Sequence, residues 1–352
     1  MPNQPNSDQP QEYKPALFWS SLAALIWIIL LLYAGGFTTT IRAGMAFLDW
    51  PLSNGSINPD GWLENEDMMA EHSHRLLGMV MGLLSISLCV GAFVFRTSKL
   101  VKRMGVFLVI MVIVQGLLGG LRVRLDKLNL DIDHNLYAQT FAVAHATLAQ
   151  VFLCLLVSFV VSNSRSWVQN NAGFDRAPSK NLSTFGIIAC LTLVAQLIIG
   201  AIMRHNYAGL AITTFPYSDL NGAIIPPAFN FEVAIHFAHR VGAVIVSIAI
   251  IAFCIKIWKS ELYRKAVGKS AVFLTAALII QGYLGAQVIW TVRNPHVTTF
   301  HMLNGAFTLA ICWMITYRSY KFRIQPNTIP ATELAPENDS IEDFSQSSAS
   351  KA

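Results

Sequence analysis

Charged residues are scarce in this chain. They make up 13% of 352 residues, while 54% are hydrophobic; an ordinary soluble domain carries about 25% charge. So little charge excludes an ordinary water-facing surface. It also argues against a nucleic-acid partner, despite a formal net charge of +5. The first sixteen residues hold only one cation, Lys14, and lack the basic stretch and small-residue cleavage site of a signal peptide. The first apolar run is therefore expected to stay as an uncleaved anchor. Cysteine is missing from the predicted loops. Cys89, Cys154, Cys190, Cys254 and Cys312 all fall inside apolar runs, so no outside disulfide is expected and they read as small packing residues.

What is present is long and apolar. Eight runs, near residues 17–38, 72–95, 104–122, 139–162, 183–204, 233–257, 268–290 and 299–317, are each about long enough to cross a hydrocarbon core. In lipid, backbone groups must pair within their own segment, so the runs must be helices. Cations crowd one side of the resulting topology: Arg96, Lys99, Lys102, Arg103, Arg165, Arg176, Lys180, Lys256, Lys259, Arg264, Lys265, Lys269, Arg318, Lys321, Arg323 and Lys351. The other side has Arg42, Arg122, Arg124, Lys127, Arg204 and Arg293. By the positive-inside rule both termini are expected in the cytoplasm. The tail from about residue 324, rich in Ser, Glu, Asn and Pro, reads as disordered.

The chain repeats itself. Ala43-Gly44-Met45-Ala46 leads to Trp50-Pro51, and Ala208-Gly209-Leu210-Ala211 leads to Phe215-Pro216. His74-Arg75 and His239-Arg240 are separated by the same interval as these two segments. Gln115-Gly116-Leu117-Leu118-Gly119 recurs as Gln281-Gly282-Tyr283-Leu284-Gly285, and His145 and His301 occupy matching spans. The fold class expected is all-α: a polytopic membrane protein of eight helices, in two tandem four-helix bundles of like orientation. Its segments are a cytoplasmic N-terminal piece (1–16), an N-terminal half (17–162), a cytoplasmic linker (163–182), a C-terminal half (183–317) and a cytoplasmic tail (318–352).

His74, His145, His239 and His301 all fall in the first one or two turns of inward-running spans, at similar depth near the outer face. Each half thus offers two imidazoles at one level, the arrangement that grips a haem iron from both sides. Zinc would want four convergent ligands. A lone membrane histidine is more often an interhelical hydrogen-bonding residue; four at equivalent positions reverse that balance. Gly78 and Gly82 near the His74 face, with Gly116, Gly119, Gly120, Gly282 and Gly285 on neighbouring spans, either allow close helix packing or leave room for a flat macrocycle.

The halves differ at one position. Glu71 shares a helix face with His74, and its counterpart is His236. An acid beside a haem edge moves protons or stabilises a cation; the second half, lacking it, reads as an electron-carrying site. Glu232 is expected to hydrogen-bond His236. His72 is expected at the interface, and His134, His205 and His296 in solvated outer loops. Arg75 and Arg240 either pair with haem propionates or support and anchor the helix ends.

These residues together resemble the haem A synthase family over about residues 17–317. The most specific matches are Glu71-x-x-His74-Arg75, His145, His239-Arg240, His301, the two Gln-Gly-x-Leu-Gly segments, and Ala-Gly-Met-Ala leading to Trp50-Pro51. The resemblance implies haem b as cofactor, held by His239 and His301, and haem O as substrate near His74 and His145. It implies oxidation of the C8 methyl of haem O to a formyl group, through the alcohol and a hydrated aldehyde, with Glu71 as the essential acid. It implies a place beside haem O synthase in cytochrome oxidase assembly. The electron acceptor is not implied, and a homo-oligomer stays open. Membrane lipid surrounds the chain, and a bacterial inner membrane fits the missing transit peptide. The family's outer-loop cysteine pairs are absent here. Two other readings compete: a dihaem b-type electron-transfer protein, and a non-catalytic haem carrier. Haem O synthase itself is rejected, because Asp126, Asp131 and Asp133 lie outside instead of forming a cytoplasmic diphosphate site.

Overall fold

The computed structural model describes residues 12–126, 136–169 and 180–324. His134, Asp131, Asp133, Lys127, half of the 163–182 linker (170–179) and the tail from residue 325 lie outside the described residues. Within them are eight helices long and apolar enough to cross a membrane. They are α1 (Pro15–Thr40), α2 (Glu66–Val94), α3 (Lys99–Arg124), α4 (Leu136–Ser162), α5 (Lys180–His205), α6 (Phe231–Trp258), α7 (Glu261–Trp290) and α8 (Pro295–Ile324). A four-residue helix follows α4 at Arg165–Val168, and a 3-10 turn at Ala208–Leu210 follows α5. The chain is an all-α polytopic membrane protein.

Each helix outruns the apolar stretch that announces it, because polar residues carry the first and last turns. Asn65 caps α2 by accepting from the Asp67 and Met68 N–H groups, with Glu66 and Asp67 in the positive first turn. Asn230 caps α6 through the Val233 N–H, and Ser98 caps α3 through Val101. Thr38, Thr39 and Thr40 sit in the apolar helix α1 yet hide their hydroxyls, each donating to the carbonyl four residues back at 2.8–2.9 Å. The helix then stops at Arg42, whose φ of 66° is left-handed. Tyr207, its counterpart in the repeat, ends α5 the same way with φ 56°.

In the first half α1, α2, α3 and α4 pack in sequence, and α4 also returns to α1; in the second, α5 to α8 do the same. The halves meet where α8 touches α1 and α4 and where α4 touches α5. One core gathers Leu17, Ile28, Met81, Leu88, Leu108, Leu156 and Phe159, with Ala306 of α8 among them. The other gathers Leu182, Leu193, Ile250, Phe253, Ile257, Leu274 and Ile315. Leu83, Phe107, Ile113, Leu191, Ile248, Phe273 and Ile279 point outward, the surface a hydrocarbon solvent requires. The five cysteines are free; Cys190, Cys254 and Cys312 are buried in helix contacts.

Two close approaches separate packing glycines from the rest. At Gly105 a Cβ would stand 3.0 Å from the Cys89 Cα, so α2 and α3 touch backbone to backbone there. At Gly78, Gly82, Gly116 and Gly282 a Cβ would meet nothing within 4 Å. Of the two roles open to those four, helix packing is thereby removed. Gly105→Ala should destabilise the bundle by about 1–3 kcal/mol through overpacking, read as a lower midpoint in detergent thermal unfolding. Gly116→Ala should leave that midpoint unchanged.

Candidate functional site

The four histidines stand eight, nine, eight and six residues past the first residue of α2, α4, α6 and α8. At about 1.5 Å per residue they lie roughly 9–14 Å along the helices; His74, His145 and His239 are a little over two turns in and His301 just under, because the helices begin before the apolar runs. The structure brings them together in pairs. The His74 and His145 ring centres are 6.4 Å apart, and those of His239 and His301 are 6.3 Å apart.

That spacing has a simple chemical meaning. An imidazole nitrogen binds a transition metal at about 2 Å, and the ring centre lies roughly 1 Å behind the nitrogen. Two rings facing each other across one iron therefore have centres about 6 Å apart. Both pairs fit a bis-histidine haem. Among the described residues no group of three or more His, Cys, Asp or Glu gathers as a metal site, which leaves zinc without its donor set.

Each imidazole lies against a glycine of the preceding helix. A Cβ at Gly35 would stand 2.6 Å from His74 Cε1; at Gly200, 3.1 Å from His239; at Gly285, 3.2 Å from His301; at Gly119, 3.4 Å from His145. Gly119 and Gly285 belong to the Gln-Gly-x-Leu-Gly segments, but Gly35 and Gly200 lie in no motif. They are separated by the same interval as His74 and His239, and that spacing is the signal that could have found them.

The other imidazole nitrogens are set by the same neighbours. His145 Nδ1 lies 3.1 Å from the Gln115 carbonyl, and the Gln115 amide donates back to the His145 carbonyl. The Gln196 amide lies 3.1 Å from His239 Nδ1 and donates to the His239 carbonyl at 2.8 Å. Gln281 reaches the His301 ring at 3.3 Å. His74 Nδ1 is buried without a hydrogen-bond partner. Partners of this kind orient a ligating imidazole and fix its tautomer.

Glu71 is 4% exposed and tightly held. One oxygen accepts from the Phe47 N–H at 3.0 Å and the other from Arg75 at 2.5 Å. In the second half His236 Nδ1 accepts from the Ile212 N–H at 3.2 Å. Thus Glu71 and His236 do the same structural task at corresponding places in the repeat. The expected Glu232–His236 bond gives way to this one: Glu232 is exposed, and a backbone N–H occupies the imidazole.

Arg75 and Arg240 also correspond. Arg75 donates to the carbonyls of Asp49 (2.9 Å), Leu52 (2.6 Å) and Phe47 (3.4 Å). Arg240 donates to those of Thr214 (2.6 Å), Tyr217 (3.1 Å) and Ile212 (3.2 Å), which are the repeat counterparts of the first three in the same order. Both guanidinium groups are engaged in lacing the outer loops to the helix ends.

Three other histidines differ from expectation. His72 is buried, not interfacial: Ser53 Oγ lies 3.0 Å from its Nδ1, and Trp62 and Phe47 pack against its ring. His205 closes α5, half-buried where the charges of Arg204 and Arg122 reach it. His296 is exposed but lies in the first turn of α8, 2.9 Å from the Tyr33 hydroxyl and stacked on Phe37. In each case a loop or helix end folds back on the bundle, which span counting cannot foresee. An open cavity of about 330 Å³ lined by Phe93, Lys99, Lys102, Arg103, Val106 and Phe107 lies at the opposite end of α2 and α3 and takes no part.

A family model for a cytochrome oxidase assembly protein, COX15-CtaA, matches residues 22–314. The chain belongs to that family. Among its relatives, the Heme A synthase of Shewanella oneidensis is 23% identical, over 89% of this chain and 98% of that protein. The Heme A synthase of Shouchella clausii is 26% identical over 82% and 92%, and that of Symbiobacterium thermophilum 29% over 66% and 72%.

Two measurements test the geometry. Alanine at Gly35 should displace the His74 ring, read as a lower capacity of the first pair for added haem. Alanine at Gly119, where contact is ordinary, should cost little; pyridine haemochrome content reads both. The outer loop supplies the second. Burial would raise the Asp49 carboxyl, but the Gly55 and Asn54 N–H groups, at 2.8 Å each, and the Arg75 charge hold it below its usual 3.8. A depressed carboxylate gives stability that is whole above the unfolded value of about 3.9 and is lost as pH falls through the folded one. Thermal midpoints taken from pH 5 downward should therefore drop more steeply in the natural protein than in Asp49→Asn.

Proposed function

We propose that this protein makes haem A, oxidising the C8 methyl of haem O to a formyl group. His239 and His301 hold haem b in the C-terminal half (183–317); His74 and His145 receive haem O in the N-terminal half (17–162). The observation that carries the reading is two imidazole pairs of nearly equal spacing, 6.4 and 6.3 Å, with an acid at Glu71 beside one and His236 beside the other. The family and the relatives named Heme A synthase support it.

When bound, the haem iron supplies the redox chemistry. The chain's own residues do the rest. The glycine seats and glutamine partners hold the imidazoles facing. Glu71, fixed by Arg75 and the Phe47 N–H, stands one turn from His74, where its carboxyl oxygens can stabilise positive charge developing at the methyl. The open sites at Gly78, Gly82 and Gly116 leave a flat face for the macrocycle. The protein is read as lying in a bacterial inner membrane, termini inside and histidine pairs near the outer face, where it serves cytochrome oxidase assembly downstream of haem O synthase.

The equal spacing of the pairs also suits a symmetric dihaem electron carrier, and haem extraction separates the two. Co-expression with a haem O synthase, in cells that lack haem A, should yield haem A or its alcohol precursor by chromatography with mass detection. His74→Ala should abolish both, and Glu71→Gln should cut the yield by about two orders of magnitude. Unchanged haem O with folded protein and a competent electron acceptor would favour the carrier reading.

A further inference from the structure

Among the described residues Arg204 is a cation without an anion. It ends α5 in the second half and reaches across to α1 in the first, where its Nη2 donates to the Gly36 carbonyl and to Thr40 Oγ1. Its Nη1 faces the thioether of Met302 at 3.2 Å, a weak acceptor. Its Nε is buried with no hydrogen-bond partner. Among the described residues the salt bridges are Lys14–Glu12, Arg75–Glu71 and Lys265–Glu261, so no carboxylate answers Arg204. The nearby charge that acts on it, Arg293, has the same sign. A buried ionic group in this state is costly and is kept for a reason.

Its place supplies the reason. Arg204 is four residues beyond Gly200, on the same helix face and one turn outward. Gly200 seats the His239 ring, and Met302 directly follows His301. Arg204 therefore rises from α5 one turn beyond the glycine on which the His239 ring lies, and its guanidinium ends against the residue next to His301. Of the other cations there, Arg240 spends its donors on Ile212, Thr214 and Tyr217, and Arg293 lies by Arg42 and Tyr207. We propose that Arg204 receives a propionate carboxylate of the macrocycle held by His239 and His301, a role that rests on the reading of that pair as a haem site. A guanidinium is the side chain best matched to a carboxylate. The plainer role, capping the carbonyl end of α1, uses Nη2 alone and leaves the buried Nε and the net charge unanswered.

The test compares a haem that has carboxylates with one that lacks them. Full-length protein carrying His74→Ala and His145→Ala, so that only the second pair binds, is stripped of haem in detergent. It is then titrated with protohaem IX and with its dimethyl ester, following the Soret band. The free acid should bind about 10- to 100-fold more tightly than the ester, as expected for one charge-assisted hydrogen bond. Arg204→Gln should shrink that preference to within about 2-fold while the six-coordinate low-spin spectrum persists. Arg204→Lys, which keeps the charge and loses the fork, should fall between and serves if the glutamine variant does not fold. A preference for the free acid that is the same in both variants as in the Arg204 protein would overturn the proposal. Failure of both haems to give a low-spin spectrum, with helicity intact by circular dichroism, would bring down the haem reading and this inference together.

Discussion

The facing of two imidazoles at about the width of one metal ion is the constraint on which the site depends, and it is a packing problem before it is a chemical one. A histidine ring inside a helix bundle must lie on something. Here it lies on a glycine of the preceding helix, in all four cases. A methyl at Gly35 would occupy the space of the His74 ring itself. For His74, His239 and His301 ring position is thus set by where a neighbouring helix has no side chain; at His145 the contact with Gly119 is looser. The glutamines then act on rings whose place is already decided.

A second layer secures the ends of those helices. The loops that follow α1 and α5 are laced down by Arg75 and Arg240 through three carbonyls each, and by Glu71 and His236 through one backbone N–H each. Buried backbone groups need partners, and these side chains supply them at corresponding places in both halves. Glu71 is therefore a structural residue and, among the described residues, an acid one turn from His74. The imidazole of His236 shows that the structural task does not require a carboxylate.

Much of this was legible in the residues. Eight apolar runs became eight helices, since lipid leaves the backbone no other choice, and the four histidines of equivalent position paired as expected. The interval that separates His74 from His239 reaches further than the motifs that revealed it. It also joins Phe47 to Ile212, Arg42 to Tyr207, and Gly35 to Gly200. What escaped was direction. An arginine at a helix end reads the same whether it faces a loop carbonyl or a ligand, so Arg75 and Arg240 could not be assigned. His72 was misjudged because helix geometry gives its face but not the Ser53–Trp62 loop that folds over it. Gly78 and Gly105 look alike in a sequence; only the neighbouring helix tells open space from contact.

The seam between the halves has a consequence for how the protein is made. Ala306 of α8 belongs to the core of the first half, Met302 packs on Gly36, and the Trp313 indole donates to Ser158 on α4 at 2.8 Å. Arg42 also stacks over the Tyr207 ring at 4.4 Å. A chain synthesised from its N-terminus thus inserts its first four helices without the residues that complete their packing. The packing of the first four helices is therefore complete only after the last helix has entered the membrane.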